Sequence, residues 1–132
     1  MCIIYIASLR PGDGKTAVSC ALSGYLSAKG KRPFVTKAVT FNSVADPDTN
    51  IHQQLLEQPE HPGLPVYVSQ QQLDPTLSPE TIGLVQREVA YLNKTYSCII
   101  IDGLSSLKPT VPTSQCSAQI ARSLGAQIIV VV

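Results

Sequence analysis

Three short apolar runs set the tightest limit on how this chain can fold. They are dense in β-branched residues and read "CIIYIA" at 2–7, "SCIIIDG" at 97–103 and "AQIIVVV" at 126–132. Such runs predict strands that are buried on both faces, the kind found in parallel sheets. Because parallel strands need helical crossovers, we expect an α/β fold in which helices cover both faces of the sheet.

Helix signals fill the segments between these runs. After the first strand, apolar residues recur at spacings of three and four from Lys15 to about Lys29, and Gly30 is a natural stop. The apolar positions of this predicted helix are Val18, Ala21, Leu22, Tyr25 and Leu26. The run "PFVTKAV" at 33–39 predicts a second strand directly after the stop.

A second helix is predicted with clear start signals. Ser78 is a favourable N-cap and Pro79 suits the first helical position. The apolar stripe of this helix is formed by Ile82, Val85, Val89 and Leu92. A further helix is expected around 114–124, before the last strand.

Residues 40–77 are less regular. Prolines at 47, 59, 62, 65 and 75 forbid long helices in this part of the chain. One short helix near 50–58 and a short extended piece at 66–68 are expected there.

Composition limits the class of protein. A chain of 132 residues fits a single domain, and a formal net charge of +1 gives no support for a nucleic-acid partner or an anionic membrane surface. The N-terminus does not resemble a signal peptide, and no apolar run approaches the ~20 residues of a membrane span. We therefore expect a cytoplasmic protein, in which buried reduced thiols at Cys2 and Cys98 are favoured over disulfides.

The last predicted strand reads as a central strand of the sheet, yet no helix follows to cover it. Two interpretations are open. Either residues 1–132 are the N-terminal part of a longer chain, which we favour, or a partner covers this part of the sheet.

The turn between the first strand and the first helix carries the main functional signal. It reads "SLRPGDGKT" and ends like the phosphate-binding loop GxxxxGK[ST], although Leu9 stands where that spacing needs a glycine. Gly12 and Gly14 would let the backbone N–H groups at the helix start approach an anion. Lys15 would reach the terminal phosphates, and the Thr16 hydroxyl would bind magnesium. The alternative, a turn chosen for its backbone angles, does not explain a lysine at the positive end of a helix.

A carboxylate is expected near this loop, because magnesium bound to a triphosphate usually takes one from the end of another strand. Asp102 ends an apolar strand and would lie at the same edge of the sheet as Lys15. Gly103 keeps the space beside it open. The alternative role for Asp102 is to cap a strand-to-loop turn.

Other polar residues are less specific. Lys37 ends the second predicted strand at the same edge and is either a site residue or a surface lysine. Asp46 and Asp48 would either add a carboxylate to the metal or cap the short helix. No catalytic setting is identified for His52 or His61.

Four stretches together resemble the P-loop superfamily of dethiobiotin synthetase, cobyrinic and cobyric acid synthases, and the N-terminal domain of long phosphate acetyltransferases. They are "YIASLRPGDGKTAVSCAL", "PFVTKAV", "SPETIGLVQREVAYLNKTYSCIIIDG" and "ARSLGAQIIVVV". The resemblance covers nearly the whole chain and implies a P-loop NTPase-like fold of the Rossmann-like, three-layer kind. The strand residues depart in part from dethiobiotin synthetase, where Glu-Gly is common at Asp102-Gly103 and Lys-Pro at Lys37-Ala38.

The resemblance also implies roles for individual residues. Lys15 and Lys37 would be catalytic, and Thr16, Asp48 and Asp102 would hold magnesium. ATP would contact the loop and first helical turn, which comprise Gly12, Asp13, Gly14, Lys15, Thr16 and Ala17.

The implied function is ATP-dependent activation of a small-molecule carboxylate or carbamate for C–N ligation. Two alternatives stay open. One is an ATP-sensing regulatory domain attached to a catalytic unit, and the other is an ATPase switch like ParA and MinD. In that switch a homodimer would form, and Arg10 would reach across to the partner.

Overall fold

A computed structural model describes residues 1–10, 12–41, 47–69, 76–104 and 113–132. Within them, six strands and four helices follow one another along the chain. The strands are β1 (Cys2–Ser8), β2 (Pro33–Thr36), β3 (Val39–Thr40), β4 (Val66–Tyr67), β5 (Cys98–Asp102) and β6 (Gln127–Val131). The helices are α1 (Lys15–Ala28), α2 (Pro47–Leu56), α3 (Pro79–Leu92) and α4 (Thr113–Leu124).

The main sheet is parallel, with strand order β2-β5-β1-β6. Helices α1 and α2 pack on one face of it, and α4, itself packed on α3, lies on the other. Successive strand residues point to opposite faces, so Ile99 and Ile101 join the larger core under α3 and α4 while Ile100 joins the smaller one under α1. The predicted α/β fold with helices on both faces is confirmed.

The second predicted strand was too long. Residues 33–39 do not form one strand, because β2 ends at Thr36 in the main sheet while Val39 begins β3 in a separate two-stranded parallel sheet with β4. Lys37 lies between the two strands. An apolar run can supply residues to either sheet, since both bury the same kind of side chain.

The apolar pattern of helix α1 predicts its buried face only in part, because Val18, Leu22 and Leu26 pack against the smaller core but Ala21 and Tyr25 are exposed. Tyr25 is 59% exposed, whereas Ser19 and Ser23 are buried against the sheet together with parts of Val18 and Leu22. The Ser19 hydroxyl donates to the Lys15 carbonyl oxygen at 2.8 Å, so its polar group is satisfied inside the helix. Small side chains thus allow α1 to approach the sheet closely.

The cysteine prediction was also wrong. Cys2 and Cys98 are paired residues at the start of the neighbouring strands β1 and β5, with Cα atoms 4.6 Å apart, and they form a disulfide. This spacing suits a disulfide, but 96 residues of sequence separate the two cysteines, and the pairing depends on strand order. Cys20 and Cys116 are free thiols.

Within the described residues, β6 stands at the end of the strand order of the main sheet. It is paired on one side with β1, and its apolar side chains Ile128 and Val130 are 54% and 52% exposed. Its partly buried Val131 packs against the smaller core. None of the helices in the described ranges is both long enough and apolar enough to cross a membrane.

Helix α3 provides a direct test of the predicted N-cap. The Ser78 hydroxyl accepts a hydrogen bond from the Thr81 backbone N–H at 3.2 Å. We expect Ser78→Ala to lower the free energy of unfolding by about 1 kcal/mol, because that N–H loses its partner at the helix start. Chemical denaturation would measure the loss. The matched control Ser27→Ala, in the exposed last turn of α1, should change stability by less than about 0.5 kcal/mol, and equal losses in the two variants would contradict the cap.

Candidate functional site

The loop between β1 and α1 is shaped by two glycines. Gly12 and Gly14 have φ angles of 82° and 92°, in the left-handed region that glycine adopts without strain. Gly14 is also the N-cap of α1 and makes no side-chain cap, so the first N–H groups of the helix have no capping acceptor in the described chain. By contrast, α3 is capped by Ser78 and carries Glu80 in its first turn. The exposed positive end of α1 is therefore suited to an anion.

Lys15 lies in the first turn of α1 with only 5% of its surface exposed. Its Nζ donates a hydrogen bond to Ser8 Oγ at 3.0 Å, and Ser8 is the last residue of β1. The side chain thus folds back over the loop toward the end of the strand. A buried ammonium held by a neutral hydroxyl keeps much of its charge unpaired and can take up an anionic ligand.

The electrostatic environment of Lys15 also favours an anionic ligand. Burial lowers the pKa of the Lys15 ammonium below its ordinary value, Asp102 opposes this, and Lys37 lowers the pKa further. Asp48 and Asp13 oppose the shift more weakly. Because burial and a second cation both disfavour the charged form, a bound polyanion would relieve the unfavourable charge.

Asp102 meets the loop from the neighbouring strand. It ends β5, and its Oδ2 accepts a hydrogen bond from Thr16 Oγ1 at 2.7 Å. The side chain is buried, and its Oδ1 has no hydrogen-bond partner among the described residues. The predicted pair of a loop hydroxyl and a strand carboxylate therefore lies in direct contact, at the edge of the sheet where β1 and β5 end.

Gly103 is needed next to Asp102 for a packing reason. Its N–H donates to the Ile6 carbonyl oxygen at 2.9 Å, and a Cβ at this position would overlap that oxygen. The glycine keeps β5 close to β1 just where Asp102 reaches the loop. This close approach of two strands is a different role from the predicted one, which was to keep the space beside the carboxylate open.

Lys37 and Asp48 form an ion pair beside this group. The Nζ of Lys37 lies 2.5 Å from Oδ2 of Asp48, which is the second residue of α2. Lys37 is buried, whereas the Asp48 side chain is 32% exposed, so the pair is open to solvent on the Asp48 side. Lys37 lowers the pKa of the Lys15 ammonium and Asp48 raises it, so both charges act on Lys15. Asp46, the other predicted candidate, lies outside the described residues.

The remaining predicted loop residues are more exposed. The Asp13 carboxylate accepts a hydrogen bond from the Arg10 backbone N–H at 3.0 Å and holds the turn closed. The side chain of Arg10 is 79% exposed, with its Nε 3.6 Å from Asp13. Ala17 is exposed in the first turn of α1 and would contribute its backbone N–H.

Sequence reasoning missed His52. It lies on α2, is 1% exposed, and its Nε2 is 3.0 Å from Asp102 Oδ2. The available signal was the spacing of four between Asp48 and His52, which puts both on one face of a helix. The spacing alone could not predict the contact, because the sequence does not show that this face of α2 packs toward the end of β5.

A cavity of about 230 Å³ opens next to the loop, between β1, β6 and α4. Its lining combines hydroxyl groups with apolar side chains and includes Ser8, Leu9, Leu104 and Ser117. None of the described lining residues carries a formal charge. Ser8 lines this cavity and also accepts a hydrogen bond from the Lys15 ammonium, so the cavity adjoins the glycine-rich loop.

A parallel sheet with a glycine-rich turn before a helix, and a strand carboxylate against the hydroxyl of that turn, defines a P-loop nucleotide-binding domain. The chain belongs to the AAA_26 family, described as an AAA domain, whose sequence profile matches residues 3–132. No curated protein matches the sequence. The match to this family does not by itself support the more specific resemblance to dethiobiotin synthetase and cobyrinic acid synthases.

Among solved structures, the chain is similar to the BceF tyrosine kinase domain. The TM-score is 0.53 at 20% sequence identity, over 97% of this chain and 55% of that one. At this identity the similarity shows the fold alone. The chain spans about half the length of the kinase domain that it matches.

Proposed function

We propose that this domain binds ATP with magnesium and transfers the γ-phosphate to a small-molecule carboxylate or carbamate, activating it for C–N ligation. The contact between Thr16 and Asp102, directly beside the buried Lys15, is the observation that carries this proposal. Lys15 and the first N–H groups of α1 would bind the phosphates. Gly12, Asp13, Gly14 and Ala17 would contribute their backbone N–H groups to the same site.

The donor set fits magnesium. Thr16, Asp48 and Asp102 offer only oxygen ligands, and the Oδ1 atom of Asp102 is buried with acceptor capacity to spare. No group of three or more His, Cys, Asp or Glu residues in the described ranges could hold a metal by itself. Magnesium commonly binds one or two carboxylates and completes its shell with substrate phosphates and water, so such a set is sufficient. When bound, the ion would neutralise charge on the phosphate oxygens.

Lys15 and Lys37 would stabilise the negative charge that develops during phosphoryl transfer. The substrate carboxylate oxygen would attack the γ-phosphorus, the bond to the bridging oxygen would break, and ADP would leave with the electron pair. An amine would then attack the carbonyl carbon of the mixed anhydride, releasing phosphate and a proton. Lys37 would be the second cation of the site, and its ion pair with Asp48 would restrict its position before substrate binds.

The cavity beside Ser8 supports a substrate position next to the phosphates. A substrate body that is neutral and partly apolar would fit its uncharged lining, while its carboxylate would lie toward Lys15. An attached catalytic domain is the alternative partner if the domain senses ATP rather than turning it over. A partner subunit is the alternative in the dimeric switch.

Three measurements on the purified chain separate these functions. A ligase should release a burst of ADP when the carboxylate substrate is added and should turn over repeatedly only when an amine is also present. A sensor should be stabilised by ATP without ADP release, and a switch should become dimeric on addition of ATP, as measured by light scattering. Absence of any ATP-dependent change in stability, turnover or mass would contradict all three.

A further inference from the structure

A buried histidine and a buried carboxylate meet at the centre of the site. His52 comes from α2 and Asp102 from the end of β5, 50 residues apart in sequence. Both side chains are 1% exposed. Polar groups this deeply buried are costly unless they are hydrogen-bonded, and this contact satisfies one polar atom of each side chain.

The tautomer of His52 follows from its surroundings. Its Nε2 faces the Asp102 carboxylate at 3.0 Å, whereas its Nδ1 is buried without a hydrogen-bond partner in the described part of the chain. A hydrogen on Nδ1 would lack an acceptor and would leave the lone pair of Nε2 against a carboxylate oxygen. The hydrogen therefore belongs on Nε2, which donates to Asp102 Oδ2.

The two carboxylate oxygens of Asp102 differ in their hydrogen-bond partners. Oδ2 accepts from both His52 Nε2 and Thr16 Oγ1, while Oδ1 accepts from no described residue. Two donors on one oxygen, one from α1 and one from α2, restrict rotation of the carboxylate. Oδ1 is thereby kept as the oxygen with full acceptor capacity.

We infer that His52 is a positioning residue that orients Asp102 for magnesium, without touching nucleotide or metal itself. This inference rests on the proposed function, in which Asp102 is a metal ligand. Groups that hydrogen-bond metal-binding carboxylates in this way commonly raise metal affinity, and their loss costs about 10- to 100-fold. His52 therefore links α2, which also carries Asp48, to the metal side of the loop.

The test is the magnesium dependence of ADP affinity, measured by calorimetry with excess Mg²⁺ and again with EDTA. The wild-type chain should bind ADP more tightly with Mg²⁺. In His52→Leu, this tightening should fall by about tenfold or more while the affinity in EDTA stays within about twofold. His52→Gln retains an N–H donor at a similar reach and should keep most of the magnesium effect.

His61→Leu is the matched control. His61 makes the same kind of pair, with Nε2 2.8 Å from Glu88 Oε2, but its partner is on α3. This variant should leave the magnesium effect unchanged. Equal magnesium dependence in His52→Leu and wild type would overturn the inference, as would a parallel loss of affinity in EDTA and in Mg²⁺.

A measurement on the wild-type chain covers the case in which His52→Leu does not fold. Long-range ¹H–¹⁵N spectra report the tautomer of each histidine. We expect the Nε2–H form at His52, and a shift of its signals on adding Mg²⁺ to the ADP complex, with His61 unmoved. An Nδ1–H form, or no response to Mg²⁺, would overturn the inference. ADP binding without any magnesium effect in the wild type would instead refute the proposed metal site itself.

Discussion

Lys15→Ala is expected to abolish the thermal stabilisation of the chain by ATP. The buried ammonium of Lys15 lies at the uncapped start of α1, where terminal phosphates would bind. A ligand at 100 times its dissociation constant stabilises a protein by about 2.7 kcal/mol, and this increment should disappear. Differential scanning fluorimetry with and without ATP and Mg²⁺ would measure it.

The same variant should not lose stability in the absence of ligand. Burial lowers the pKa of Lys15, which shows that the folded state disfavours its charge, so removal of the ammonium relieves a cost. Lys29→Ala is the control, because Lys29 is an exposed lysine at the opposite end of the same helix. Unchanged stabilisation by ATP in Lys15→Ala would refute the assigned phosphate site.

Gly103→Ala is expected to have the largest effect on folding. A Cβ at this position would overlap the Ile6 carbonyl oxygen and press on the Tyr5 ring at 3.1 Å. Backbone of β1 would have to move away from β5, and the hydrogen bond from Gly103 N–H to Ile6 would weaken. We expect a loss of about 3 kcal/mol in the free energy of unfolding, measured by urea denaturation.

Gly83→Ala gives the matched comparison. Gly83 is exposed in α3, and a Cβ there would meet no atom within 4 Å. Alanine is the better helix former, so this variant should gain about 0.5–1 kcal/mol. Equal and small effects of the two substitutions would show that β1 and β5 do not approach as closely as described.

Local patterns predicted the helices and strands because the spacing of apolar residues along the chain shows whether an element is buried on one face or on two. The stripe of α3 is an example: Val85, Val89 and Leu92 are all buried, and the helix begins at the predicted Pro79. In α1 the same method wrongly included Tyr25 in the buried stripe and missed Ser19 and Ser23, because small buried serines carry no hydrophobic signal. Periodicity thus identifies an element more reliably than the way it packs.

The candidate site was predictable only in part. Lys15 and Thr16 are adjacent to glycines in a recognisable loop, and Asp102 follows an apolar strand, so each residue has a local signature. His52 has only its spacing of four from Asp48, and a histidine on a short polar helix is ordinary in any sequence. Its importance arises from a contact with Asp102 across 50 residues.

By itself, the sequence determined the alternation of strands and helices, the glycine-rich turn before α1 and the carboxylate at the end of β5. These features depend on side chains close together in the chain, whose spacing and backbone preferences act locally. Only the tertiary structure decided that residues 33–40 divide between two sheets, that Cys2 meets Cys98, and that His52 reaches Asp102. Those outcomes depend on which distant segments become neighbours, and that is settled by the packing of the whole domain rather than by any short stretch of residues.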